Sequence, residues 1–118
     1  MAVQRVLVLD DEPLIAMLIK DWLEELGYEA LGPAHSVSQA LAAIEGDNPD
    51  AALIDVSLGD GDSYRVADAL KARKIPFAFG TGRDERAIEP RHRGVPILTK
   101  PYDVSSLEAI MAKLLPSR

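Results

Sequence analysis

The chain has 118 residues, no cysteine, and a formal charge of −6 from 13 Lys and Arg against 19 Asp and Glu. That length allows one domain with one core, the acidic balance opposes attraction to nucleic acid or anionic membrane, and the missing thiols exclude disulfides, thiolate metal sites and cysteine nucleophiles. No apolar run approaches the roughly 20 residues of a membrane-spanning helix and no secretory signal opens the chain, so a cytoplasmic protein is expected.

Val6-Leu7-Val8-Leu9 run together instead of alternating, which marks residues 5 to 10 as a strand buried on both faces, and the run ends in Asp10-Asp11-Glu12. Pro13 suits the first turn of a helix, where its missing N–H is no loss. From Pro13 to Leu26, Ile15, Leu18, Ile19, Trp22, Leu23 and Leu26 recur at helical spacing and define a core face, and Gly27 ends the helix. Leu14 and Met17 fall off that stripe, beside the acidic residues, where surface scatter and a partner contact are the two readings. Tyr28 to Gly32 reads as a short, weakly hydrophobic edge strand broken by Gly32-Pro33. Ser36 or Ser38 caps a helix whose Ala40, Leu41 and Ile44 face inward up to Gly46. Asn48-Pro49-Asp50 turns the chain into a second wholly apolar run, Ala51-Ala52-Leu53-Ile54, closed by Asp55.

Asp62 or Ser63 caps the next helix, with Val66, Ala67 and Leu70 inward up to Lys74, and Ile75 to Gly80 forms a fourth strand leading into Thr81. Residues 83 to 94 carry many charges, Pro90, and little to bury beyond Ile88, so a full helix is not expected there. Val95 to Thr99 is the fifth strand, ahead of Lys100-Pro101, and Val104, Leu107, Ile110, Met111 and Leu114 mark a last helix before Pro116. Short apolar strands alternating with helical patterns predict an α/β fold, a five-stranded parallel sheet with helices on both faces. Right-handed crossovers then bring every strand's carboxyl end to one rim, where open α/β sheets bind ligands. Asp10, Asp11, Asp55, Thr81 and Lys100 gather there.

Clustered carboxylates repel: two unit charges about 4 Å apart at an effective dielectric of about 20 cost roughly 4 kcal/mol. One cation held by Asp11, Asp55 and a backbone carbonyl, with waters bridged by Asp10, offsets this, and a small set of hard oxygen ligands points to Mg²⁺ rather than zinc. Lys100 adds a positive charge and Thr81 a hydroxyl. An anionic group landing on Asp55 meets all three, which is what phosphoryl transfer needs.

Asp10-Asp11, Asp55, Thr81 and Lys100-Pro101, in this order and at these strand ends, resemble the receiver domain of two-component response regulators, and the likeness covers the whole chain. It implies a flavodoxin-like (βα)5 fold with strand order 2-1-3-4-5. Asp55 would be the phosphoacceptor, Asp10 and Asp11 the acidic metal pair, Ser57 the backbone-carbonyl ligand to Mg²⁺, and Thr81 and Lys100 the groups that bind phosphoryl oxygens, with Lys100-Pro101 cis. The implied partner is a histidine kinase or histidine phosphotransfer protein, and the domain catalyses its own phosphorylation and dephosphorylation without being a conventional enzyme. Pro76-Phe77-Ala78-Phe79-Gly80-Thr81-Gly82 is similar to the FATGUY receivers of alphaproteobacteria, with Gly80 for the alanine and Arg83 for the Gly or Tyr. Gly59 replaces a common proline, and Ile97 stands where typical receivers carry the Tyr or Phe that fills the space behind the switch threonine. Lacking that ring, the chain is expected to signal by reordering residues 83 to 94.

With only the last helix after Lys100, a single receiver domain over residues 1–118 without an output domain is expected, acting through protein contacts or onward phosphotransfer. An excised receiver of a hybrid kinase is one alternative. An aspartyl-nucleophile phosphohydrolase is another, although such enzymes separate nucleophile and acid by two residues and add a capping segment. A receiver-like partner-binding module that is never phosphorylated is a third. His35 and His92 read as surface histidines, and Asp60-Gly61-Asp62 as a turn.

Overall fold

Apolar runs without alternation form strands where both faces of a sheet are covered. In the computed structural model, which describes residues 3–10, 12–55, 63–81, 94–99 and 103–116, they do so as β1 (Arg5–Leu9), β2 (Glu29–Ala34), β3 (Ala51–Asp55), β4 (Phe77–Thr81) and β5 (Ile97–Thr99). All pair in parallel in the order β2-β1-β3-β4-β5. The helices are α1 (Pro13–Glu25), α2 (Val37–Asp47), α3 (Ser63–Ala72) and α4 (Val104–Leu114). Among the described residues no helix is long and apolar enough to cross a membrane.

Side chains alternate along a strand, and the two cores follow that parity. Leu7, Leu9, Ala52, Ile54, Phe77 and Phe79 pack under α2 and α3, whereas Val6, Val8, Ala51, Leu53, Ala78 and Leu98 pack under α1 and α4. The buried face of α1 is Ala16, Ile19 and Leu23, with Ile15, Trp22 and Leu26 half-buried at its margins. This corrects the expected stripe. Leu18 lies about 100° around the helix from Ile19 and is 41% exposed, while Ala16 takes the place against the sheet. Val104 likewise stands outside the buried face of α4, which Leu107, Ile110, Met111 and Leu114 form.

Helix ends carry their own chemistry. Ser36 caps α2, its hydroxyl accepting the Gln39 N–H at 3.2 Å. Asp103 caps α4 by accepting the Ser106 N–H at 2.7 Å, and that backbone bond holds its carboxyl below the usual range. At the amino end of β1, Arg5 donates to the carbonyls of Asp47 at 2.5 Å and Asn48 at 3.3 Å, and its N–H to Asp50 at 2.7 Å. The guanidinium thereby satisfies carbonyls left over at the carboxyl end of α2.

Gly32-Pro33 does not break β2. The strand runs through it because β2 is an edge, where a proline without N–H is tolerated. The register accommodates it as a bulge: Leu7 faces Leu31 and Leu9 faces Ala34, so two steps on β1 meet three on β2. Gly32 adopts φ +94°, and a Cβ there would sit 2.6 Å from the Ala34 nitrogen. The Gly32-Pro33 peptide is cis. Segment 83 to 93 and the Lys100-Pro101 bond lie outside the described residues.

Two glycine substitutions test this geometry in opposite directions. Gly46→Ala, in α2 with open space around the new methyl, should stabilise the protein by up to about 1 kcal/mol. Gly32→Ala should destabilise it by more than about 1 kcal/mol. Urea midpoints at constant m-value read both.

Candidate functional site

Strand parity also builds the site. Leu9 faces Ile54 in the β1–β3 ladder, so the next residue on each strand, Asp10 and Asp55, meets its counterpart at the carboxyl rim. Both have the parity of Val6, Val8, Ala51 and Leu53, which turns them toward the side that α1 covers. Gly80 pairs with Asp55 from β4 and shares that parity. The concavity at this rim is lined by Asp10, Asp55, Gly80, Ile19 and Leu98, above the apolar ends of β1 and β3. Gly80 contributes no side chain, which leaves the opening beside Asp55.

Asp10 is 1% exposed and Asp55 3%. Glu12, exposed at the edge, brings a third carboxylate, and one oxygen from each of the three lies within 4.8 Å of the others. The Asp10 carboxylate accepts the Glu12 N–H at 2.9 Å just ahead of Pro13, where the amino end of α1 favours negative charge. Three carboxylates this close, two of them buried, repel one another, and a cation among them would offset that. A donor set of carboxylate oxygens, partly buried and partly open to water, suits a hard cation of the Mg²⁺ class. Asp10, Glu12 and Asp55 fit that ion.

Glu12 closes the Asp10-Asp11-Glu12 triplet but was not expected in the ligand set; three acidic residues in a row were the available signal. Thr81 ends β4 one residue past Gly80 and opposite Thr99, which sets its backbone at the same rim. Asp11, Ser57, Lys100 and Pro101 lie outside the described residues, as do Gly59, Asp60 to Asp62 and His92.

His35 is a surface residue as expected, yet its ring is engaged. Nδ1 lies 2.9 Å from the Asp10 carbonyl oxygen, and the Asp10 N–H donates to the Ala34 carbonyl at 3.0 Å. No periodicity or spacing rule reports a side-chain bond from one loop to the backbone of another.

On the same end of the sheet, α1 leaves Leu14 81% and Met17 57% exposed, as the sequence predicts, and Leu18 joins them.

The sequence pattern of the family described as the response regulator receiver domain matches residues 6–112. The solution structure of SdrG from Sphingomonas melonis Fr1 superposes with a TM-score of 0.85 at 41% identity, covering 98% of this chain and 99% of that one. The BeF3-activated conformation of SdrG, from Pseudomonas melonis Fr1, gives 0.83 at 41% identity over 98% and 99%. Phyllosphere-induced regulator PhyR of Methylorubrum extorquens is 32% identical over 114 residues, which are 93% of this chain and 43% of that protein. The chain thus spans about half the length of the curated relatives it matches.

Mg²⁺ should raise the melting temperature, since a ligand that binds only the native state at about 100 times its Kd adds about 2.7 kcal/mol. Asp10→Asn and Asp55→Asn should each remove most of that rise. In EDTA the same variants should melt no lower than the unsubstituted protein, because each relieves like-charge repulsion.

Proposed function

The chain belongs to the response regulator receiver domain family, and from that premise we propose that Asp55 accepts a phosphoryl group from a histidine kinase or histidine phosphotransfer protein in a Mg²⁺-dependent reaction. Receiver domains bind Mg²⁺ in an acidic pocket, and the observation that carries the reading here is the buried Asp55 with Asp10 and Glu12 within 4.8 Å at the mouth of β1 and β3. A relative at 41% identity has a BeF3-activated conformation, and beryllofluoride mimics a phosphoryl group on a carboxylate.

In the transfer, an Asp55 carboxylate oxygen attacks phosphorus in line with the donor imidazole. The P–O bond forms as the P–N bond breaks, and the released ring nitrogen takes a proton. Catalysis is mostly positioning and charge stabilisation. Asp10, Asp11, Asp55 and the Ser57 carbonyl would hold the metal, with Glu12 at its edge, and bound Mg²⁺ would supply positive charge to the phosphoryl oxygens. Thr81 would donate its hydroxyl to one oxygen, and Lys100 its ammonium to another. Asp55 lies in the concavity lined by Asp10, Ile19, Gly80 and Leu98 at the carboxyl rim of the sheet, and the donor would reach it there.

The exposed Leu14, Met17 and Leu18 beside that rim are the surface on which a protein donor would rest. Signalling through protein contacts or onward phosphotransfer, in the cytoplasm, completes the proposal. Ile97 faces Phe79 in register and packs into the α2/α3-side core, a branched side chain in place of a swinging ring.

A small phosphoryl donor with Mg²⁺ should add one phosphoryl group, acid-stable and base-labile. Asp55→Asn and Asp55→Ala should abolish it in intact-mass spectra; labelling that persists in both overturns the assignment, and repeated turnover of phosphomonoesters would favour a phosphohydrolase. Polar substitution of Leu14 and Met17 together should slow transfer from a phosphorylated protein donor at least tenfold, equivalent to about 1.4 kcal/mol. Labelling by the small donor should be unchanged.

A further inference from the structure

Asp10 is pinned from the β2 side by two consecutive residues. Ala34 accepts its N–H at 3.0 Å, and His35 Nδ1 meets its carbonyl at 2.9 Å. A carbonyl oxygen only accepts, so Nδ1 carries the proton and donates. Both sides of the Asp10 residue's backbone are thereby tied to one short stretch.

That stretch is itself held. The His35 N–H donates to Gln39 Oε1 at 2.7 Å, while the Gln39 N–H donates to Ser36 Oγ at 3.2 Å. This reciprocal arrangement at the start of α2 is a variant of the capping box, shifted so that the glutamine reaches the residue before the cap. The Gly32-Pro33 bulge completes it: the extra residue on β2 puts Ala34 opposite Leu9, so that His35 follows beside Asp10. Without the bulge, Pro33 would face Leu9 and the imidazole would be carried one position too far along the rim.

We propose that His35 is a positioning residue for the metal site, its Nδ1–H bond to the Asp10 carbonyl completing, with the Ala34 carbonyl on the Asp10 N–H, the backbone clamp from which the Asp10 carboxylate projects. The inference rests on the Mg²⁺ reading of the rim. His35 touches no metal and no phosphoryl group; it acts through the Asp10 backbone. Outer partners of this kind orient metal ligands and tune affinity. With its N–H held by Ala34 and its carbonyl by His35, the Asp10 Cα is fixed on both sides, so the direction of its Cα–Cβ bond, from which the carboxylate reaches toward Asp55 through two torsions, is fixed with it.

Calorimetric titration of the whole chain with MgCl2 tests it. His35→Ala and His35→Leu remove the donor, the second while keeping bulk, and each should weaken Mg²⁺ binding about tenfold. His35→Asn keeps an N–H at the δ position, one bond past Cγ, and should bind close to the unsubstituted protein. A purely structural role would lower the metal-free melting temperature and leave Kd alone. Unchanged Kd in the Ala and Leu variants, or an Asn variant as weak as Ala, overturns the proposal while the metal reading stands. Absence of saturable Mg²⁺ binding in the unsubstituted protein overturns both.

Discussion

The parallel ladder between β1 and β3 is the constraint from which the site follows. Leu9 opposite Ile54 leaves no freedom in where Asp10 and Asp55 go. A slip of one residue would turn one carboxylate into the α2/α3 core and bring an apolar side chain to the rim. The register is held because both faces are buried: a slip would exchange the residues under α1 and α4 with those under α2 and α3, and the two sets differ in shape, Leu53 branching at Cγ and Ile54 at Cβ. Ala51 and Leu53 on one face, Ala52 and Ile54 on the other, interlock with different helices. Packing that looks purely structural thus sets the distance between two charges.

Those charges work against the fold that gathers them. Two carboxylates with exposures of 1% and 3% are a poor way to end a sheet, and native proteins keep such arrangements where function requires them. Part of that penalty is met locally, by the Glu12 amide on Asp10 and the amino end of α1 behind it. Three carboxylates gathered at one end of the sheet are the arrangement on which the proposed binding of a hard cation rests. The site lies at the margin of the core, one residue past the apolar pair Leu9 and Ile54.

Most of the architecture was legible because the physics behind it is local or periodic. The unbroken Val6–Leu9 and Ala51–Ile54 runs could only be strands covered on both sides, and the alternation with amphipathic segments required parallel crossovers. The misreadings came where two residues compete for one surface. Leu18 outranks Ala16 in hydrophobicity, yet a helix packed closely on a sheet needs the smaller residue at the contact, so Leu18 turns outward. Gly32-Pro33 carries every sign of a break, but an edge strand can absorb it as a bulge. Asp103 caps α4 through a single local bond to the Ser106 N–H, which leaves no mark in the apolar periodicity of the helix. At the site, Asp10 and Asp55 were readable from their positions at strand ends, whereas Glu12, on the first turn leading into α1, was not expected among the ligands. His35 was not, since its bond depends on a bulge, a helix cap and the next strand's end meeting at one place.

The strand order has a consequence for how the chain is made. β1, central and apolar on both faces, is synthesised first, yet its partners are β2, about 20 residues later, and β3, about 45 residues later, which at about 5–20 residues per second leaves it incompletely paired for seconds. The bond that ties the start of β1 to the start of β3, Arg5 with Asp50, spans 45 positions, and such non-local contacts form late. During that interval the nascent chain exposes Val6 to Leu9 with unpaired edges on either side, a segment able to recruit other chains. The acidic residues that follow it at once, Asp10 to Glu12, then serve a second purpose: they keep a sticky strand charged and apart from its neighbours until its own sheet arrives.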